Sequence, residues 1–310
     1  MEPLVLASAL VVGCLLAVQA SVNQQLNKAV GTPYGASTLQ LGIAAAALAV
    51  VAAATGAIGA VQHLTDVEHW WLLLGGVASP VYITSGILLF PRLGALSSVG
   101  LFVTGQVFAS ISIDLLGLLA VPRQPLEPGT VVGAAAVLGG ITLIVRGQQA
   151  VVPTGSASAA HTGWFALGLV AGAVLPLQGA VNAQLKRDIG EPLAVGTISF
   201  VVATLMIAVV LLVLLAVRRT PAPRVAPLRA MPWWGWLGGF CAATYVTATF
   251  LLLPRIGAAA TIALTFTGQQ LASALIDQLA WFRMPRRPLT VPRLAGLGLM
   301  IGGSALVQLV

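Results

Sequence analysis

Apolar residues run along this chain in ten long blocks separated by charged or turn-forming residues. They cover roughly residues 4–29, 33–58, 70–90, 93–119, 129–146, 162–186, 192–218, 233–253, 256–281 and 290–309. A helix of about 20 residues crosses the hydrocarbon of a bilayer, so each block predicts one spanning helix. The blocks lack the short alternation of barrel strands, and helices satisfy every backbone group within the segment. The expected fold class is an all-α membrane protein with ten transmembrane helices. No basic segment precedes the first block, which reads as a retained span rather than a cleaved signal.

The blocks repeat. Gln19, Asn23 and Gln25 match Gln178, Asn182 and Gln184, and the turns that follow match as Gly31-Thr32-Pro33 and Gly190-Glu191-Pro192. Trp70-Trp71 matches Trp233-Trp234, and Tyr82 matches Tyr245. Phe90-Pro91-Arg92-Leu93-Gly94 matches Leu253-Pro254-Arg255-Ile256-Gly257. Thr104 and Gln106 match Thr267 and Gln269, Asp114 matches Asp277, and Gly139-Gly140 matches Gly302-Gly303. So many coincidences in register indicate a duplication. The expected units are residues 1–146 and 162–310, joined by a linker over 147–161. Five spans is an odd number, so the second copy enters the membrane from the opposite side, as an inverted repeat.

Composition agrees with this pattern. The chain of 310 residues is 58% hydrophobic and 7% charged, where soluble domains carry about a quarter charged residues. The net charge of +7 could suggest nucleic acid in a soluble protein. Here the basic residues lie between apolar blocks and report orientation instead. By our count eleven Lys and Arg fall on the face that holds Lys28, Arg92 and Arg293, against four on the other: Arg123, Lys186, Arg187 and Arg255. The richer face is expected to be cytoplasmic, with both termini outside. Cys14 and Cys241 lack metal-ligand spacing and read as free, buried thiols. The paired tryptophans at span starts suit interfacial anchoring. Gly168 with Gly172, and Gly298 with Gly302, have the spacing of close helix contacts.

Enzyme chemistry finds no footing. His63, His69 and His161 fall in loops or at span ends and form neither a metal-protease nor a nucleophile-elbow pattern. No cofactor or metal site is expected. The polar residues inside the blocks say more. Gln19 and Asn23 share one face of the first helix, as Gln178 and Asn182 do in the sixth. Thr104 and Gln106 lie near the bilayer centre, at about 1.5 Å per residue from Arg92; Thr267, Gln269 and Gln270 sit equivalently. Amides in hydrocarbon are costly unless bonded. Two readings fit: a polar solute site where the repeats meet, or hydrogen bonds that join helices. Pro176, inside the sixth helix with Ala17 as its counterpart, should kink that helix and free a carbonyl.

The doubled Gln-x3-Asn-x-Gln-Leu stretch, its Gly-x-Pro turn and the Pro-Arg-(Leu/Ile)-Gly turn resemble the drug/metabolite transporter superfamily. Within it, the chain is similar to the fused ten-helix form of the YdcZ-like branch. The resemblance covers about 4–146 and 162–309 and implies a secondary transporter of the bacterial-type inner membrane, an exporter of a small organic solute. It implies no substrate. One departure stands out: the small multidrug exporters of that superfamily carry a glutamate in their first helix, where this chain has Gln19 and Asn23.

The expected mechanism is alternating access around Gln19, Gln178, Gln106 and Gln269, with Asn23, Asn182, Thr104 and Thr267 beside them. The expected partners are a small solute and the bilayer, with no nucleic acid. Rival readings are a non-transporting scaffold and a lipid-handling protein. Four repeated charges are gate candidates. Topology puts Asp114 on the face of Arg255 and Asp277 on the face of Arg92. Acids in spans are usually paired, so two cross-repeat ion pairs can be drawn, Asp114–Arg255 and Asp277–Arg92. The alternative is a local base for each acid: Arg123 for Asp114, and Arg283 or Arg286 for Asp277.

Overall fold

The computed structural model describes residues 3–149 and 158–309. They form ten long helices: α1 (Pro3–Val30), α2 (Pro33–Ala54), α3 (Ala78–Leu93), α4 (Ala95–Leu116), α5 (Pro128–Gln149), α6 (Ser158–Ile189), α7 (Pro192–Ala216), α8 (Leu237–Ile256), α9 (Ala258–Leu279) and α10 (Val291–Leu309). No strand occurs among the described residues. Among the described residues eight segments are long and apolar enough to cross a membrane: α1, α2, α4 to α7 and α10 (from Thr162 in α6), and the stretch Trp70–Leu93 that contains α3.

The helix ends follow from the turn residues. Gly31 and Gly190 adopt φ +83° and +79°, a left-handed conformation that ends α1 and α6. Pro33 and Pro192 then open the next helices, where a missing N–H costs nothing. The structure differs from the expected spans in three places. α2 ends at Ala54 rather than 58, because Gly56 turns the chain at φ +78° into a 3-10 stretch, Ala57–Asp66. Trp70–Val77 and Trp233–Trp236 are also 3-10 turns, so α3 and α8 begin later than their tryptophans. The linker is shorter than 147–161, since α5 reaches Gln149 and α6 starts at Ser158; residues 150–157 and the His161 side chain lie outside the described residues.

Packing partners exchange between the halves. α1 lies on α8 and α9, and α6 lies on α3 and α4; α2 pairs with α7 and α5 with α10. Each half therefore buries its helices mainly against the other half. Glycines set the crossings. A methyl group on Gly13 would overlap the Thr265 carbonyl, and one on Gly172 the Phe102 carbonyl. Gly268 and Gly105 meet the carbonyls of Leu10 and Leu169 in the same way. The α5–α10 seam is self-complementary: methyls on Gly133, Gly140, Gly296 and Gly303 would come within 2.5–2.7 Å of one another's carbonyl oxygens.

The spacing argument thus holds for Gly168 and Gly172, which face Leu101 and Phe102. It fails for Gly298 and Gly302, which have nothing within 4 Å of an added methyl. In α10 the contact face carries Gly296 and Gly303 instead, seven residues apart as for a helix that follows its partner closely. Trp70 and Trp233 are exposed, at 72% and 75%. Both cysteines are free; Cys241 is buried, whereas Cys14 is only half-buried and donates to the Gly268 carbonyl at 3.3 Å.

Candidate functional site

A cavity of about 90 Å³ lies between the halves, lined by matched residues. α1 contributes Leu16 and Gln19, and α6 contributes Leu175 and Gln178 at the same register. α3 contributes Ser79, Tyr82 and Ile83, and α8 contributes Ala242, Tyr245 and Val246, again at one register. Phe200 of α7 closes one side. Its wall holds no charged side chain.

The two amides on the wall differ. Gln178 accepts from Ser79 Oγ at 3.0 Å and donates to Ser199 Oγ at 3.3 Å. Gln19 is 2% exposed, and its Oε1 has no hydrogen-bond partner among the described residues. A buried amide without a partner is costly, which marks Gln19 as the group with bonding capacity to spare. Gln269 stands one step behind the wall: its Nε2 donates to the Tyr82 hydroxyl at 2.7 Å, across the halves. Its counterpart Gln106 is buried with its Nε2 unpartnered.

The other expected site residues lie off the wall. Thr104 donates to Gly100 at 2.7 Å and Thr267 to Ala263 at 2.8 Å, each within its own helix. Asn23 and Asn182 pack as mates: a methyl on Gly238 would overlap Asn23 Oδ1, and one on Gly75 would overlap Asn182 Oδ1. Among the described residues both oxygens lack an N–H or O–H donor and rest on glycine Cα atoms, a geometry suited to weak Cα–H···O contacts. The third amides of the repeat are also joints. Gln25 donates to the Phe282 carbonyl at 3.1 Å, and Gln184 to the Leu119 carbonyl at 2.6 Å, each on the turn after the other half's fourth helix.

Sequence reasoning aligned Tyr82 with Tyr245 and gave them no role. The chain has three tyrosines, and two fall in register. That was the available signal, since both prove to line the cavity.

The two ends of the bundle are unlike. At one end Asp277 is fully buried and accepts from the α4 backbone, with Ala95 N at 2.8 Å and Leu96 N at 3.2 Å. Arg293 Nη2 holds the same carboxylate at 2.6 Å, and its Nη1 donates to the carbonyls of Arg287 and Pro288. Arg287 reaches back to the carbonyls of Pro91 and Arg92, at 3.0 and 3.2 Å. The α3–α4 turn is therefore held on both sides: its orphan carbonyls by a guanidinium and its orphan amides by a carboxylate, each suited to the helix dipole. Gly94 at its centre is buried.

The ion pairs drawn from topology are corrected here. Asp277 does not pair with Arg92, whose guanidinium lies over the Trp164 ring at 4.3 Å, nor with Arg283 or Arg286. Its base is Arg293, which repeat logic missed because the aligned position in the first half is Thr130. At the other end Gly257 has nearly the backbone of Gly94, φ 81° against 82°, yet it is exposed. Asp114 is half-buried and its carboxylate has no partner among the described residues, neither Arg255 nor Arg123. One end of the bundle is latched and the other is not.

Comparison with known proteins agrees with this architecture. A crystal structure described only as that of a protein matches with a TM-score of 0.60 and 16% identity, over 98% of this chain and 97% of its own. At that identity it shows a shared fold. A comparison with curated proteins returns no match. Residues 4–143 and 163–306 both match one family, described as "Putative inner membrane exporter, YdcZ". The match covers most of both halves, and the chain belongs to this family of inner-membrane exporters.

Proposed function

We propose that the protein is a secondary active exporter that moves a small amphipathic organic solute by alternating access, with residues 1–146 and 162–310 rocking about the cavity between them. The observation that carries this reading is the matched wall: Gln19 with Gln178 and Tyr82 with Tyr245 converge from opposite halves on one chamber. The unpartnered amide of Gln19 and the two aromatic faces favour a neutral or weakly polar group with one or two hydrogen-bonding atoms. An uncharged wall in a low dielectric disfavours a net charge there. Latching at one end only is what one state of an alternating cycle requires.

The test is a thermal-shift screen of the purified protein against a metabolite library. Gln19→Leu and Tyr245→Leu are expected to abolish the stabilisation given by any hit and to leave the unliganded midpoint within a few degrees of the parent. Gln269→Leu acts through Tyr82 and is expected to weaken the same hit without abolishing it. Unchanged shifts in both wall variants would return the cavity to a packing role.

Orientation is proposed from the basic bias. A reporter active only in the cytoplasm, fused after Val310, is expected to stay silent, and the same reporter after Arg219 to be active. The reverse result would put the latched end, which holds Arg92 and Arg293, on the outer face.

A further inference from the structure

We propose that Asp114 is the coupling site of this transporter: whenever its end of the bundle closes, its carboxylate takes up one positive charge from solution, as a proton or a small cation. The inference rests on the alternating-access reading above and adds the source of the charge.

The two ends are built alike up to one difference. After each aspartate the chain folds back the same way, with Gln124 N donating to the Asp114 carbonyl at 2.9 Å and Arg287 N to the Asp277 carbonyl at 2.7 Å. In that register Arg287 corresponds to Gln124 and Arg293 to Thr130. The latched end therefore carries its own guanidinium at the carboxylate. The unlatched end carries none. A cavity of about 270 Å³ lies there instead, bounded by Asp114, Gln124 and Thr130, with Ser110, Glu127 and Gln308 on its rim.

Closure of that end, by the symmetry of the halves, would seat the α8–α9 turn on Asp114 as the α3–α4 turn now sits on Asp277. Gly257 already has the required backbone. The carboxylate would then be buried against the amides of Ala258 and Ala259. A buried carboxylate without a counter-charge is strongly disfavoured, and the group neutralises instead. The charged neighbours do not supply the missing charge. Arg255 is the mate of Arg92, which in the latched end turns away to Trp164. Arg123 is exposed, and its Nε donates to the Leu116 carbonyl. Lys186 and Arg187 at the end of α6 are exposed, with Asp188 beside them. Glu127, just before α5, is exposed and adds negative charge to the rim; α10 faces the cavity with neutral Gln308, and the acid of α9, Asp277, lies at the far end.

The test reads conformation and needs no known solute. In a Cys14→Ala, Cys241→Ala background, spin labels on Leu118→Cys and Arg255→Cys report the separation across the Asp114 end in nanodiscs. The parent is expected to shift from a long to a short separation as pH falls from about 8 to about 4, above and into the carboxylate range. At about pH 8, low-millimolar guanidinium or sodium chloride tests the cation arm. A response to acid alone assigns a proton, and a response to either salt assigns a cation. Asp114→Asn is expected to show the short separation under every condition. Thr130→Arg, which restores the guanidinium of the other half, is expected to do the same with the carboxylate intact. A parent with two separations that ignore both acid and salt, or an Asp114→Asn that still responds, overturns the proposal and leaves the transporter reading standing. A single separation in every variant and condition overturns both.

Discussion

Arg293→Met is expected to destabilise the protein more than any other single change at the latched end, by about 3–5 kcal/mol. The side chain is 1% exposed, and its guanidinium is the only base in contact with Asp277 among the described residues. Methionine fills much of the volume and leaves a buried carboxylate with two backbone donors and no base in contact, Arg287 acting on it only from a longer range. Asp277→Asn should cost less, because an amide oxygen can still accept from Ala95 N or Leu96 N and the guanidinium left behind keeps the carbonyls of Arg287 and Pro288 as acceptors. The double variant Asp277→Asn, Arg293→Met should recover part of the single loss, since it removes the uncompensated charge. Denaturation midpoints in detergent check the order: Arg293→Met lowest, the double variant above it, Asp277→Asn nearest the parent. An Arg293→Met protein as stable as the parent would mean that the pair contributes nothing to the latch.

The sequence made one kind of information available and concealed another. Anything present in both halves could be read by register: Gln19 with Gln178 on the cavity wall, Asn23 with Asn182 against glycines, and the Pro-Arg-(Leu/Ile)-Gly turns. Such pairs are visible because each half buries its face against the other, so both copies keep the same groups. Arg293 was invisible on that logic, because what matters about it is that Thr130 is not an arginine. The partner of Asp277 was misread for a second reason. Topology correctly placed Asp277 on the face of the α3–α4 turn, but pairing side chains with side chains overlooks the four orphan amides that every helix start presents. Ala95 and Leu96 offer a carboxylate those donors, and no residue type announces them. The 3-10 turns at Trp70 and Trp233 were hidden for a similar reason, since a run of tryptophan and glycine is apolar whichever helix it forms.

Gly268→Ala and Gly105→Ala are expected to destabilise by about 1–3 kcal/mol each, against the usual preference of a helix for alanine over glycine, about 1 kcal/mol. The reason is backbone against backbone. The added methyl on Gly268 would overlap the Leu10 carbonyl of α1, and that on Gly105 the Leu169 carbonyl of α6. Neither neighbour is a flexible side-chain end that can swing away, so the helices must part. Apolar burial gives no net drive between helices in lipid, and close packing supplies the association instead. Parting α1 from α9, or α6 from α4, also draws the two halves apart beside the cavity, so ligand-induced stabilisation should fall with the midpoint. The control lies in the same protein. Gly298 and Gly302 have open space around them, so Gly298→Ala and Gly302→Ala should be neutral or raise the midpoint, with the propensity term unopposed. The same substitution in four helical positions is thus expected to change sign with the neighbour alone. Equal midpoint shifts at all four glycines would sink the account of how the halves are held together.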